Sequence, residues 1–184
     1  MLKEDLEEIL FTSEQIQARV EALAKQITID FKGKNPLVVG VLKGAYIFMA
    51  DLVRHLEIPL EMDFMAISSY GSSTQSSGVV RILKDLERPV EDRDVLIVED
   101  IVDSGLTLQY LRESLLHRKA RSVKIAAAFD KPGGRKVDIA PDYFGLTVPN
   151  RFLVGYGLDY AEHYRHLPYV GVLKESVYKD SNHR

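Results

Sequence analysis

The chain has 184 residues, 46% of them hydrophobic and 28% charged, a balance that suits one globular domain over residues 1–184 and excludes a disordered polar chain. It has no cysteine, which excludes disulfide scaffolds, Cys-based zinc sites and thiol nucleophiles. A net charge of −3 argues against a basic nucleic-acid surface or a polybasic membrane patch, so neither nucleic acid nor membrane is expected as a partner. The N-terminus MLKEDLEEILF is too acidic for a signal peptide and no apolar run approaches about 18 residues, so a cytoplasmic location is expected.

In chain order, the first 31 residues read as helix in two pieces. Thr12 and Gln15 have capping-box spacing, and Ile16, Val20, Leu23, Ile27 and Phe31 then recur at helical intervals. Leu37 to Leu42 is a continuous apolar run, as expected of a strand covered on both faces. Ala45, Phe48, Met49, Leu52, Val53 and Leu56 trace one stripe of the next helix. Leu60 to Ile67 and Val79 to Leu83 are strand candidates on either side of the Ser/Gly-rich stretch Ser68 to Gly78. Val95 to Val98 is the strongest buried strand, followed by a helix marked by Leu108, Leu111 and Leu115. Further strands are expected at Val123 to Phe129, Tyr143 to Val148 and Phe152 to Val154. Strands alternating with helices predict an α/β domain with a mostly parallel sheet, whose ligand site lies beyond the carboxyl ends of the strands.

The run VLIVEDIVDSGLT, Val95 to Thr107, is where an apolar strand runs out into polar residues most clearly. A helix N-terminus offers unpaired N–H groups to a phosphate, Gly105 allows close backbone approach, and Ser104 and Thr107 add hydroxyl donors. Glu99 and Asp100 suit the hydroxyls of a ribose or a divalent cation. Asp103, between them and the phosphate loop, is placed to accept a proton. Alternatively, Asp103 caps the helix and the two acids are merely solvated. The chain has no GxxxxGK[ST], and Gly155-Tyr156-Gly157 is followed by Tyr160 where a dinucleotide fingerprint needs glycine.

This run resembles the 5-phosphoribosyl-1-pyrophosphate (PRPP) motif of the type I phosphoribosyltransferases. Other segments, from about Leu10 to about Val172, are similar to the bacterial hypoxanthine (hypoxanthine-guanine) phosphoribosyltransferases. The resemblance implies a mostly parallel twisted sheet flanked by helices, with a small hood from the N-terminal segment and roughly residues 149–175. It implies transfer of the phosphoribosyl group from PRPP to N9 of hypoxanthine and guanine with Mg2+, by a homodimer or homotetramer.

By the same resemblance, Asp103 is the general base, and Glu99, Asp100, Asp103, Ser104, Gly105, Leu106 and Thr107 form the PRPP site. Leu106 replaces a basic residue found in some members, and Ser104 a common threonine. Leu42-Lys43-Gly44 matches a pyrophosphate turn whose first peptide bond can be cis, with Lys43, Gly44 and Arg165 as pyrophosphate contacts. Ser69 and Tyr70 match a Ser-Tyr pair on a loop that closes over the reacting centre. Lys131 matches the donor to the purine O6, a choice that favours 6-oxopurines because an ammonium cannot accept from an amino group. Phe152 matches the aromatic that stacks on the base, Leu153 the residue whose backbone meets the base edge, and Asp159 a residue near the metal. Glu99, Asp100 and Asp159 are thus the implied Mg2+ carboxylates.

Overall fold

The computed structural model describes residues 3–69 and 80–179. Its elements are β1 (Leu6–Phe11), α1 (Ser13–Asp30), β2 (Leu37–Leu42), α2 (Tyr46–Arg54), β3 (Glu61–Ser69), β4 (Val80–Lys84), β5 (Asp94–Val102), α3 (Leu106–His117), β6 (Ser122–Asp130), β7 (Tyr143–Thr147), β8 (Leu153–Val154), β9 (Val170–Leu173) and α4 (Glu175–Lys179). Six strands make one sheet in the order β4-β3-β2-β5-β6-β7, all parallel except β4, which runs antiparallel to β3.

The near-continuous apolar runs of β2, β5 and β6 follow from coverage on both faces. Because successive side chains alternate, Val38, Leu96, Val98, Ala126 and Ala128 pack with α1 and α2. Leu37, Val39, Val95, Ile97 and Ile125 pack with Leu108, Leu111 and Leu115 of α3 on the other side. Helix α1 starts at a complete capping box: the Thr12 amide donates to Gln15 Oε1 at 2.9 Å, and the Gln15 amide to Thr12 Oγ1 at 3.3 Å. It ends at Phe31, just before Gly33 takes a φ of +77°.

The N-terminal segment departs from expectation. Residues 6–11 are a strand, the outer member of a second, three-stranded sheet ordered β1-β9-β8. Antiparallel pairing of Leu6 with Leu173 and Phe11 with Val170 satisfies its backbone, and this partner comes from the far end of the chain. Arg151 ties the small sheet together through ion pairs to Glu7 and Glu8.

Chain order along the large sheet reverses at β2: β3 lies on one side and β5 on the other. Their carboxyl ends splay the following loops apart, which opens a crevice at this switch point. The small sheet is pinned over that end by Tyr156, whose hydroxyl donates to Asp51 on α2 at 2.8 Å while Gln17 on α1 donates to the same oxygen at 2.7 Å. Burial and the Asp51 hydrogen bond push the Tyr156 hydroxyl far above its usual range, so it stays a neutral donor. No helix among the described residues is long and apolar enough to cross a membrane.

Replacing Tyr156 by phenylalanine keeps the ring against Phe129 but removes a hydrogen bond to a carboxylate. The variant should lose about 2 kcal/mol of stability in a urea unfolding titration, with an unchanged m-value.

Candidate active site

The acids after the central apolar run are held by the sheet itself. Strand β5 continues past Val98, and Glu99, Ile101 and Val102 remain paired with Ala127, Phe129 and Asp130 of β6. The expected strand, Val95 to Val98, was therefore too short, because ladder pairing can carry polar residues that an apolar count stops at. Glu99 is 8% exposed. Asp100 caps the neighbouring amide, accepting from Ile101 N–H at 2.7 Å.

Beyond β5 the chain turns through Asp103 and Ser104 into α3. The N-cap of α3 is Gly105 at φ +80°, which has no side chain to cap the helix, and Ser104 Oγ accepts from the Leu106 N–H at 3.4 Å. Asp103 is thus not a helix cap. A β-carbon on Gly105 would fall 2.4 Å from Ile139 Cγ2, so glycine is required by space as well as by φ. Glu99, Asp100, Asp103, Ser104, Gly105 and Thr107 line a cleft of about 210 Å3 around this N-terminus, with the amides and the helix dipole available to an anion. Leu106 opens the helix but does not line the cleft.

Asp103 meets the loop after β6. Lys131 Nζ lies 2.6 Å from Asp103 Oδ2, with the lysine side chain 13% and the aspartate side chain 47% exposed. Gly134 packs against the same carboxylate, since a β-carbon there would lie 1.7 Å from Asp103 Oδ1. Arg135 is the residue that sequence reasoning missed. Its Nη1 donates to the carbonyls of Val102 at 2.6 Å and Asp103 at 2.7 Å, and its Nη2 pairs with Asp130. One guanidinium therefore fixes the backbone at the end of β5. Only its position four residues after Lys131 could have hinted at this, and such spacing carries no meaning in a loop.

A second cleft of about 240 Å3 shares Asp100, Ile101 and Asp103 with the first and adds Lys131, Phe152, Leu153, Leu158 and Asp159. Phe152 is 39% exposed, an unusual state for a phenylalanine beside a core. A larger groove of about 500 Å3, lined in part by Glu21, Lys25 and Arg54, lies on the outer helical layer away from the strand ends.

The Leu42–Lys43 peptide bond is cis. Gly44, next in line, is wedged between two partners. A β-carbon on it would sit 1.7 Å from Asp100 Oδ2, and one on Gly157 would sit 2.1 Å from the Gly44 carbonyl oxygen. Arg165 braces the Gly157 side, donating from Nη1 to the Gly157 carbonyl at 2.8 Å while Nη2 pairs with Asp159 at 3.0 Å. Lys43 reaches Glu162 at 2.7 Å across exposed surface. Its hydrogen bond lowers the carboxyl pKa of Glu162. Ser69 ends β3, and Tyr70 lies outside the described residues.

Burial and the adjacent Asp100 charge push the Glu99 carboxyl well above its ordinary value. Burial also pushes Asp100 up to about 6, against the opposing pull of the Ile101 amide and the Arg165 charge. Two crowded carboxylates with no ion-pair partner among the described residues are suited to a cation. Among those residues no three acids or histidines converge into a closed metal cage. The donor set fits a hard divalent ion that takes one or two carboxylates and draws its other ligands from substrate oxygens and water.

A family model described as phosphoribosyl transferase domain matches residues 8–161. The chain is 57% identical to a hypoxanthine-guanine phosphoribosyltransferase of Bacillus subtilis, covering 97% of this chain and 99% of that protein. It is also 57% identical to a protein of the same name from Streptococcus thermophilus, over 97% and 99%. Among solved structures, a hypoxanthine phosphoribosyltransferase from Staphylococcus aureus superposes with a TM-score of 0.93 at 47% identity, covering 96% of each chain.

A carboxyl group whose folded pKa lies above its unfolded value binds protons more tightly when folded. Its contribution to stability therefore grows as pH falls through the folded value toward the unfolded one. Asp63 and Asp85 are shifted the other way, and their contribution is lost only below about pH 4. Glu99→Gln should raise the melting temperature of the ligand-free protein at about pH 8, and the gain should shrink as the buffer approaches about pH 5. Thermal scans of both proteins across that range test this.

Proposed function

The chain belongs to the phosphoribosyl transferase family, and from that premise we propose that it transfers the 5-phosphoribosyl group of PRPP to N9 of hypoxanthine and guanine, releasing pyrophosphate. The observation that carries the choice of base is the Lys131–Asp103 pair at 2.6 Å, set in a cleft with Phe152 beside the N-terminus of α3. On a 6-oxopurine, O6 and N7 are neighbouring acceptor positions. A donor and a carboxylate in contact with each other can part to engage both. An amino group at C6 would face an ammonium with nothing to accept, which disfavours adenine.

In this assignment the amides from Ser104 to Thr107 and the hydroxyls of Ser104 and Thr107 hold the 5′-phosphate, and Glu99 and Asp100 hold the ribose hydroxyls. Lys43, Gly44 and Arg165 receive the pyrophosphate, which leaves with the electron pair of its bond to C1′. Phe152 and the Leu153 backbone orient the purine so that N9 faces that carbon. As the N9–C1′ bond forms, the Asp103 carboxylate takes the proton from N7 and leaves a neutral nucleotide base. Mg2+, held by one or two of the carboxylates Glu99, Asp100 and Asp159, would supply positive charge against the leaving group. Ser69 and Tyr70 would cover the reacting carbon and exclude water. The hood over the base would be the β1-β9-β8 sheet, and the assembly a cytoplasmic homodimer or homotetramer.

An ultraviolet assay with PRPP and Mg2+ should show turnover of hypoxanthine and guanine and none of adenine or uracil. Binding of PRPP without turnover of any base would overturn the proposal. Asp103→Asn removes the proton acceptor but keeps the size of the side chain. It should lower kcat by roughly 10² to 10⁴ with the PRPP KM within a few-fold, and near-normal kcat would exclude Asp103 as the base.

A further inference from the structure

We propose that Tyr178, on the C-terminal helix α4, is a positioning residue that forms the back of the purine shelf. This rests on the reading of Phe152 as the ring on which the base stacks. The two rings are stacked, with centroids 5.0 Å apart and planes 22° from parallel. Tyr160 meets Phe152 in an edge-to-face pair at 5.6 Å and 85°, and itself meets Tyr178 at 6.4 Å. Tyr178 thus covers one face of Phe152, and because Phe152 also lines the cleft shared by Asp103 and Lys131, the inference assigns the opposite face to the base. Tyr178 does not line that cleft, so it acts only through Phe152.

Two physical effects follow. A phenylalanine with one open face and no support can turn about its terminal torsion, and a base that stacks on it must first stop that motion. Tyr178 removes the motion before the base arrives. It also extends the shelf to two stacked rings, so the base would be the third layer of an offset stack.

The support is itself anchored. The Lys174 amide donates to the Asp5 carbonyl at 2.9 Å and Lys174 Nζ to the Glu4 carbonyl at 2.6 Å, which fastens the start of α4 to the N-terminal segment. Tyr178 packs beside the core of the small sheet, around Leu6, Val154 and Leu173.

The test is steady-state kinetics of the full chain with Mg2+, varying hypoxanthine at saturating PRPP and then the reverse, for wild type, Tyr178→Leu, Tyr178→Phe and Phe152→Ala. Leucine fills much of the space without a flat face; phenylalanine keeps the face and loses only the hydroxyl. Tyr178→Leu should raise the hypoxanthine KM about threefold to tenfold, leave the PRPP KM within twofold, and be rescued by Tyr178→Phe. A hypoxanthine KM that rises with Phe152→Ala but not with Tyr178→Leu overturns the role of Tyr178 and leaves the shelf standing. An unchanged hypoxanthine KM in Phe152→Ala removes the shelf, and the inference with it. Equal rises in both KM values, not rescued by phenylalanine, also overturn it, because they mark a structural effect on the whole site.

Discussion

Gly44 has no room for a methyl group on the side where its β-carbon would point, and its carbonyl allows none on the residue facing it. Its own β-carbon would overlap the Asp100 carboxylate, and a β-carbon on Gly157 would overlap its carbonyl oxygen. At this point the turn after β2, the acids at the end of β5 and the loop from the small sheet converge within contact distance. The placement of the candidate site depends on that convergence. Parallel neighbours β2 and β5 bring the first two together, and the Tyr156–Asp51–Gln17 contact delivers the third. Alanine at Gly157 would push two backbone segments apart, and alanine at Gly44 would displace the Asp100 carboxylate.

The same compression sets the electrostatics. Glu99 and Asp100 are adjacent, poorly solvated and without a lysine or arginine within ion-pairing distance among the described residues. A stability-optimised sequence would pair them or replace them. Keeping both leaves local repulsion that a bound cation can relieve, a common state of affairs in sites that must bind and release a charged ligand. Arg165 moderates the repulsion on Asp100 while bonding to the Gly157 backbone and Asp159, so one side chain joins charge balance to loop position.

Much of this architecture was legible in the residues. The capping box at Thr12 and the apolar run of β2 lie where local chemistry places them, because a cap and a doubly buried strand are specified by near neighbours. Strand β1 was not legible: six residues with no clear alternation are assigned by pairing with β9, and no local window contains that partner. The length of β5 was underestimated for a related reason, since the sheet extends it through Glu99 and Asp100. Within the site, motif spacing and resemblance pointed to Asp103, Lys131 and Phe152. Arg135 and Tyr178 escaped notice because they touch backbone carbonyls and the rear of a ring, contacts that no motif encodes.

Arg135 and Lys131 have one consequence beyond the chemistry of a single turnover. Both belong to the short loop after β6, and both bear on Asp103, one on its carbonyl and the other on its carboxylate. The segment that would discriminate among bases is thus fastened to the segment that would grip the phosphate. Such a fastening couples two traits that natural variation or a protein engineer would wish to adjust separately. On the proposed assignment, a change in that loop aimed at a new base would also shift the grip on the sugar phosphate. On the same assignment, new base preferences would be easier to reach around Phe152 and Leu153, which line the cleft without belonging to that loop, than through the loop itself.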